Sequence, residues 1–490
     1  MSEGIGSVAV RGVFWTGAGQ VARQVIQVVG SIALARLLAP DDFGLLGMAM
    51  FFIGIGQLFA DFGIGSAIVQ SRVDDRVVLS SCFWLNVAVA GALALITLAG
   101  APLVATFYKR SDLTLLVAVL SLNLLLSGLQ TVPQALLYRD MRFADLARMQ
   151  VLGSLAGAIA AVGLALMGAG VWALVAQPLA GSAIALIVVV RAARWYPRLQ
   201  FSWREVAPLA KFSTALLGTT LVGYANRNVD SLLVGRLLGA GPLGLYAMAI
   251  QLMLYPLQQV SSVIVRVLFP AMVHLKDDTP RLRAGYLRAV SGIALITFPM
   301  MGGLFVVADD FVAVVFGTNW TPMVPVLKVL AWVGMMQSIA TTAGAIYLAT
   351  GRPGLALRVS LIGAPVLIGG MASGIPWGIL GVAIGYAIAS FSLFYFVASQ
   401  AFRLIDLRLA AFHAVVVRPL SATLLMIGSV VISAGGLSTV AAPVRLASSI
   451  VIGIATYVLA SLAINRRQLN ELWDTLRGMR RARITSFSRP

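Results

Sequence analysis

The 490-residue chain holds one cysteine, Cys82, two histidines, His274 and His413, and only 18 acidic residues. A lone thiol closes no intramolecular disulfide and leaves no Cys/His set at metal-ligand spacing, so neither a metal centre nor any other cofactor is expected. Both histidines fall near helix ends with no nucleophile or carboxylate at triad spacing, which speaks against an enzyme. Charge of both signs is scarce: 11% of residues are charged, against about 25% in a soluble domain. Alternating ten-residue segments of barrel strands are absent. So is an N-terminal apolar core ending in a small-residue cleavage site; the first apolar stretch, 8–38, contains Arg23 and reads as a retained helix.

What is abundant is apolar residue, 59% of the chain. It is gathered into runs of the roughly 20 residues that carry a helix across about 30 Å of hydrocarbon. Pro, Gly and charge clusters delimit fourteen spans near 8–38, 43–69, 79–107, 113–138, 144–168, 170–190, 207–238, 242–273, 284–307, 322–349, 355–373, 378–402, 409–434 and 441–464. The fold class is all-α and polytopic. Lys and Arg number 36, giving a net charge of +18, a value that in a soluble protein would suggest nucleic acid. Here the cations sit in alternate short loops: Arg72 and Arg76, Arg139 and Arg142, then Arg191 to Arg204, Lys276 to Arg283, Arg352, Arg403 and the tail from Asn465. That asymmetry puts both termini in the cytoplasm, excludes nucleic acid as a partner and leaves membrane lipid as the surroundings. The basic tail also has Leu469, Leu472, Trp473 and Leu476 at helical spacing, which suits an interfacial helix.

Residues 35–49, ARLLAPDDFGLLGMA, recur as 235–249, GRLLGAGPLGLYAMA, at a constant offset of 200. Arg36 and Arg236, Gly44 and Gly244, and Met48 and Met248 coincide. The turn between spans one and two therefore reappears between spans seven and eight, which divides the chain into six-helix bundles at 1–206 and 207–408, an appended hairpin at 409–464 and a basic tail at 465–490. Parallel repeats of this kind are related by an axis along the membrane normal, and a site near the midplane between them suits alternating access.

Four spans carry a polar stripe. Span one has Thr16, Gln20, Arg23, Gln27 and Ser31. Span four has Asn123, Ser127, Gln130 and Gln134, span seven Tyr224, Arg227, Asn228 and Ser231, and span eight Gln251, Tyr255, Gln258, Ser262 and Arg266. Such faces line a cavity or glue helices together, because lipid offers no hydrogen bonds. Arginine is the sharper signal: a charge at mid-helix costs about 2.5–3.5 kcal/mol on insertion scales, and guanidinium does not deprotonate to escape it. Arg23, Arg227, Arg266 and Lys328 read as deep, against Asp61 and Asp230 as comparably deep carboxylates. Asp230, three residues beyond Arg227, is a local neutraliser for it, and Asp61 is within reach of Arg23 across neighbouring spans. The cationic surplus suits an anion such as a diphosphate, which guanidinium binds bidentately.

Together, the LARLLAPDDFG turn, the DFGIGSAIVQ segment at 61–70, the NRNVDSLLVGRLLG…LGLYAMA stretch at 226–249 and VLFPAM at 267–272 resemble the polysaccharide transporter family. These are the Wzx-type oligosaccharide flippases of the multidrug/oligosaccharidyl-lipid/polysaccharide exporter (MOP) superfamily, and the likeness is nearest the colanic-acid and teichuronic-acid exporter branch. The resemblance implies a V-shaped bundle that moves an undecaprenyl-diphosphate-linked oligosaccharide to the outer leaflet of the bacterial inner membrane through a cation-lined cavity. A polymerase and a chain-length regulator of the same pathway are the implied protein partners. It further implies a groove for the lipid tail on spans thirteen and fourteen, and ion coupling for which Asp61 and Asp230 are candidates. Three rival readings are weaker. A ligase or polymerase would need a long outer loop, whereas 101–112 and 308–321 are short. A multidrug-type cation antiporter should line its cavity with carboxylates, and a non-transporting scaffold has no use for four polar faces.

Overall fold

The computed structural model describes residues 2–60, 65, 68–69, 75–204, 223–224, 228–436, 439–466 and 468. Among them all regular structure is helical. Contacts divide the chain into two compact units, Met1–Gly244 and Leu245–Pro490. The first holds α1 (Ser2–Leu37), α2 (Pro40–Ala60), α3 (Arg76–Tyr108), α4 (Asp112–Leu120), α5 (Leu122–Arg139), α6 (Phe143–Leu166), α7 (Val171–Ala193) and the helical residues 228–238, here α8. Helix α9 (Ala240–Pro256) crosses the boundary. The second unit continues with α10 (Ser262–His274), α11 (Thr279–Val315), α12 (Val324–Ala349), α13 (Pro353–Gly374), α14 (Gly378–Leu404), α15 (Leu409–Gly436) and α16 (Ala442–Ile464). Eleven helical segments among the described residues are long and apolar enough to cross a membrane. One of these, Gly354–Leu404, folds back at Ile375–Trp377 into two. Helix α1, whose polar face dilutes its hydropathy, is not among the eleven. Residues 205–222, most of 61–74 and the tail from 469 lie outside the described residues.

Local chemistry explains where the helices begin and end. Pro40 opens α2 with Asp41 and Asp42 in its first turn, where a missing amide is harmless and negative charge meets the positive end of the helix dipole. Asp42 also accepts from the Ala39 amide at 3.1 Å. Asp75 caps α3 by accepting from the Val77 amide at 2.7 Å, and Lys109 ends the helix in the left-handed region at φ 58°. The 33 residues of α3 and the 37 of α11 exceed what hydrocarbon requires, so tilt or protrusion takes up the excess. In the first unit, Leu79, Cys82 and Phe83 of α3 pack against Val132 and Leu136 of α5, and Leu34 and Leu38 meet Ala161, Ala165 and Leu174 of α6 and α7.

The repeated turns meet each other. A Cβ at Gly44 would be driven into the carbonyl of Ala240, and a Cβ at Gly244 into the carbonyl of Pro40. Positions 44 and 244, and 40 and 240, are equivalent in the duplication, so the contact is reciprocal, the signature of two-fold related patches. Arg236, the counterpart of Arg36, lies over the ring of Phe107 at 5.4 Å. Gly235 has atoms of Met48 and Tyr108 just over 3 Å or less from where its Cβ would be. These contacts hold α8 and the start of α9 in the first unit.

In the second unit Pro256 lacks the amide that would bond back to Leu252, and the helix re-registers through a π turn at Leu257–Ser261. Asp278 caps α11 by accepting from the Arg281 amide at 3.1 Å. Buried hydroxyls of Thr297 and Ser338 join α11 to α12 at 2.8 Å. At the other end of the chain, Gln468 donates to the Val415 carbonyl at 3.1 Å, tying the residues after α16 to α15.

Candidate functional site

Helix α1 keeps its wet face. Gln20 and Gln27 are exposed and Arg23 is half-buried between them. The Arg23 Nη2 donates to the Gln20 side-chain oxygen at 3.2 Å. Its Nε–H is shut away from solvent and meets no acceptor, and no carboxylate among the described residues lies within ion-pairing distance of it. A guanidinium in this condition is under-satisfied: its charge is permanent and one donor is hidden without a bond.

The polar face on α5 behaves differently. Asn123 is buried and accepts through its Oδ1 from the Ser182 hydroxyl of α7 at 2.7 Å. The amide of Gln130 donates to the Ser182 carbonyl at 3.2 Å and to the Leu126 carbonyl at 3.0 Å. Both side chains spend their hydrogen bonds joining helices, the gluing role such residues have in lipid. Tyr224 likewise donates its hydroxyl to α2, with the Met50 and Phe51 carbonyls at 3.2 and 3.1 Å. Asn228 bonds back to the Tyr224 carbonyl at 2.9 Å, and Asp230 accepts from the Ser231 amide at 2.8 Å. Arg227 and Asp61 lie outside the described residues, so neither the Arg227–Asp230 nor the Arg23–Asp61 pairing can be drawn.

In the second unit Tyr255 is half-buried one residue before Pro256, and Gln258 is exposed on the π turn. Such turns recur at functional sites because they re-aim side chains within a helix. Arg266 is on α10, and its side chain lies outside the described residues. A 3-10 turn at Thr318–Met323 delays the start of α12 to Val324. Lys328 therefore stands in the first turns of α12, with its ammonium 2.6 Å from Asp309 at the far end of α11. The chain thus brings together Gln20, Arg23 and Gln27 on one face, ties Asn123 and Gln130 to α7, and pairs Lys328 locally.

Sequence periodicity does not disclose the pairs at helix ends. Arg110 sits 3.1 Å from both Asp41 and Asp112, and the hydrogen bond it donates to Asp41 is the chief reason its pKa is raised further. Arg445 on α16 clasps Asp310 on α11 through both ends of its guanidinium, Nε to Oδ2 at 2.7 Å and Nη2 to Oδ1. Above that clasp runs an apolar groove of about 430 Å³ between α11, α15 and α16, lined by Met300, Leu304, Val307, Met426, Ile450 and Ile454. Tyr457 fastens one wall by donating to the Leu295 carbonyl at 2.7 Å.

Comparison with known proteins adds the following. Residues 33–325 match the family described as Polysaccharide biosynthesis protein. The lipopolysaccharide biosynthesis protein WzxC of Escherichia coli K12 is 28% identical over 395 residues, 77% of this chain and 78% of that protein. The teichuronic acid biosynthesis protein TuaB of Bacillus subtilis 168 is 29% identical over 457 residues, 91% of this chain and 94% of that protein. Among solved structures, an inward closed conformation of the lipid II flippase MurJ superposes with a TM-score of 0.73 at 14% identity, covering 93% of this chain and all of that one. At that identity the likeness speaks for the fold alone.

Proposed function

This chain belongs to the polysaccharide biosynthesis protein family, and from that premise we propose that it flips an undecaprenyl-diphosphate-linked oligosaccharide repeat unit across the bacterial inner membrane. The product would feed exopolysaccharide, capsule or O-antigen assembly, with a polymerase and chain-length regulator acting downstream and both termini in the cytoplasm. The observation that carries the reading is Arg23, a permanent charge on a wet helical face with a hidden, unbonded Nε–H and no carboxylate partner among the described residues. A diphosphate supplies what it lacks, because two phosphate oxygens can take the Nε–H and one Nη–H together. Gln20 and Gln27, one helical turn to either side, would bond sugar hydroxyls or phosphate oxygens. Arg227, Arg266, Tyr255 and Gln258 would complete a cationic cavity opened alternately to each face, and the groove along α11, α15 and α16 would carry the polyprenyl tail. A cationic drug has no counter-charge at Arg23, which favours the flippase over multidrug antiport.

The test is export complementation in a strain lacking its own copy. Each charge-assisted hydrogen bond to phosphate contributes about 1.5–3 kcal/mol, so Arg23→Ala or Arg266→Ala should lower transport by about tenfold to a hundredfold at unchanged membrane level. Arg23→Lys, which keeps charge and loses the bidentate fork, should fall between. Full complementation by both alanine variants removes the cationic-cavity mechanism. Asp61 and Asp230 are the proposed ion carriers; an unchanged response of Asp61→Asn and Asp230→Asn to an imposed proton or sodium gradient removes them.

A further inference from the structure

At the end of the second unit where α10 gives way to α11, α12 to α13 and α14 to α15, three loops surround a polar pocket of about 490 Å³. It is lined by Lys276, Asp277, Thr350, Arg352, Arg403 and Leu404. Each helix junction supplies one cation, Arg403 from the last turn of α14, and none of the three makes an ion pair among the described residues. Of the two neighbouring carboxylates, Asp278 is already engaged, capping α11 and pairing with Arg281 at 3.2 Å. Asp277 is left alone against Lys276, Arg352 and Arg403, so the lining carries a net surplus of two positive charges.

The cations are held on stiff supports. Gly351 takes φ +71° to end α12, and the Arg352 amide donates to the Tyr347 carbonyl at 2.8 Å. The Leu407 amide closes α14 on the Phe402 carbonyl at 2.9 Å, and Arg283 of α11 donates to the Ile405 carbonyl at 3.2 Å. Positive-inside bias accounts for cations in loops of this kind. It does not account for three of them, from junctions separated by about 50 residues or more, facing one cavity on bonded turns without counter-ions.

We propose that this pocket is a second anion site, distinct from the Arg23 face, which takes a phosphate-bearing group. Guanidinium and ammonium groups converging at this charge surplus suit a diphosphate or the phosphodiesters of lipid headgroups. Basic pockets between membrane helices recognise anionic headgroups by this chemistry. The ligand comes either from the bilayer or from solution, and one experiment separates the two.

The full chain is purified, delipidated and placed in phosphatidylcholine nanodiscs. In one arm phosphatidylglycerol is added as a minor component and retained molecules are counted by native mass spectrometry. In the other, inorganic diphosphate is titrated calorimetrically. Lys276→Gln/Arg352→Gln/Arg403→Gln is compared with Arg191→Gln/Arg194→Gln/Arg204→Gln, which removes equal charge from exposed positions elsewhere. The pocket variant should lose at least about tenfold in affinity, the worth of one charge-assisted bond, while the control changes by less than about twofold. Loss in the lipid arm identifies a headgroup site, and loss in the titration arm a soluble phosphate. Equal losses in both variants, or no binding by the native chain in either arm, overturn the proposal. Should the triple variant fail to fold, the single Arg352→Gln and Arg403→Gln variants each weaken the same arm.

Discussion

The reciprocal contact of the repeated turns makes a prediction whose sign is unusual for an alanine substitution. Glycine within a helix is disfavoured by roughly 0.5–1 kcal/mol relative to alanine, so Gly91→Ala and Gly428→Ala, where nothing lies within 4 Å of the new Cβ, should be neutral or stabilising. Gly44→Ala adds the same methyl against the Ala240 carbonyl, and Gly244→Ala adds it against that of Pro40. The colliding atoms are backbone and cannot rotate away, so the turns must separate, at an overpacking cost of about 1–3 kcal/mol. Because positions 44/240 and 244/40 exchange under one pseudo-symmetry, the single variants should cost similar amounts. Once the first methyl has parted the turns the second finds room, so the double variant should cost less than the two singles combined, with an interaction energy of at least about 0.5 kcal/mol. Thermal unfolding of the purified protein in detergent, followed by tryptophan fluorescence, reads all five variants against the parent. If Gly44→Ala behaves like Gly91→Ala, or if the double variant is strictly additive, the reciprocal contact is wrong.

Two further expectations follow from burial. Asp309→Asn breaks an exposed pair with Lys328, whose side chains are 68% and 35% accessible, and should change stability by no more than about 1 kcal/mol. Asp310→Asn removes the partner of a two-armed arginine clasp whose acid is only 18% accessible and should lower the melting temperature clearly more, with Asp310→Arg/Arg445→Asp recovering part of the loss; equal shifts for the two acids would contradict the geometry. Cys82 is fully buried between α3 and α5, so a maleimide should label it slowly in the native protein and promptly after denaturation in dodecyl sulfate; fast native labelling would mean that this core opens.

Much of the architecture was readable because lipid enforces it. A span without apolar residues is not a span, so the loops between helices could be located from Pro, Gly and charge alone. The duplication was readable for a related reason: Gly44 and Gly244 are held to glycine by the contact each makes with the other's turn, and that constraint leaves a trace in both copies. The apolar pattern ends span nine at 307, whereas α11 runs to Val315, so Asp309 and Asp310 stand on the helix, where Lys328 and Arg445 meet them. The pocket of Lys276, Arg352 and Arg403 was hidden because its residues are far apart in the chain and each looks like ordinary loop charge.

The polar faces set the limit of sequence reading most clearly. Helical spacing places Asn123 and Gln130 on one face of α5, and Gln20, Arg23 and Gln27 on one face of α1, with equal force; the two patterns are indistinguishable by period. What separates them is the partner. Ser182, 59 residues from Asn123, answers both α5 side chains from α7, so that face is already satisfied before any ligand arrives. Tyr224 is answered by the backbone of α2, and Lys328 by Asp309. Arg23 donates one bond, to Gln20 of its own helix, and keeps a buried donor unanswered. A helix that carries a permanent charge in lipid at a cost of a few kcal/mol without an internal counter-ion is destabilised unless something else compensates it. Among the described residues Arg23 is the one charged side chain with a buried donor left unbonded, and that is why the complementation test begins there.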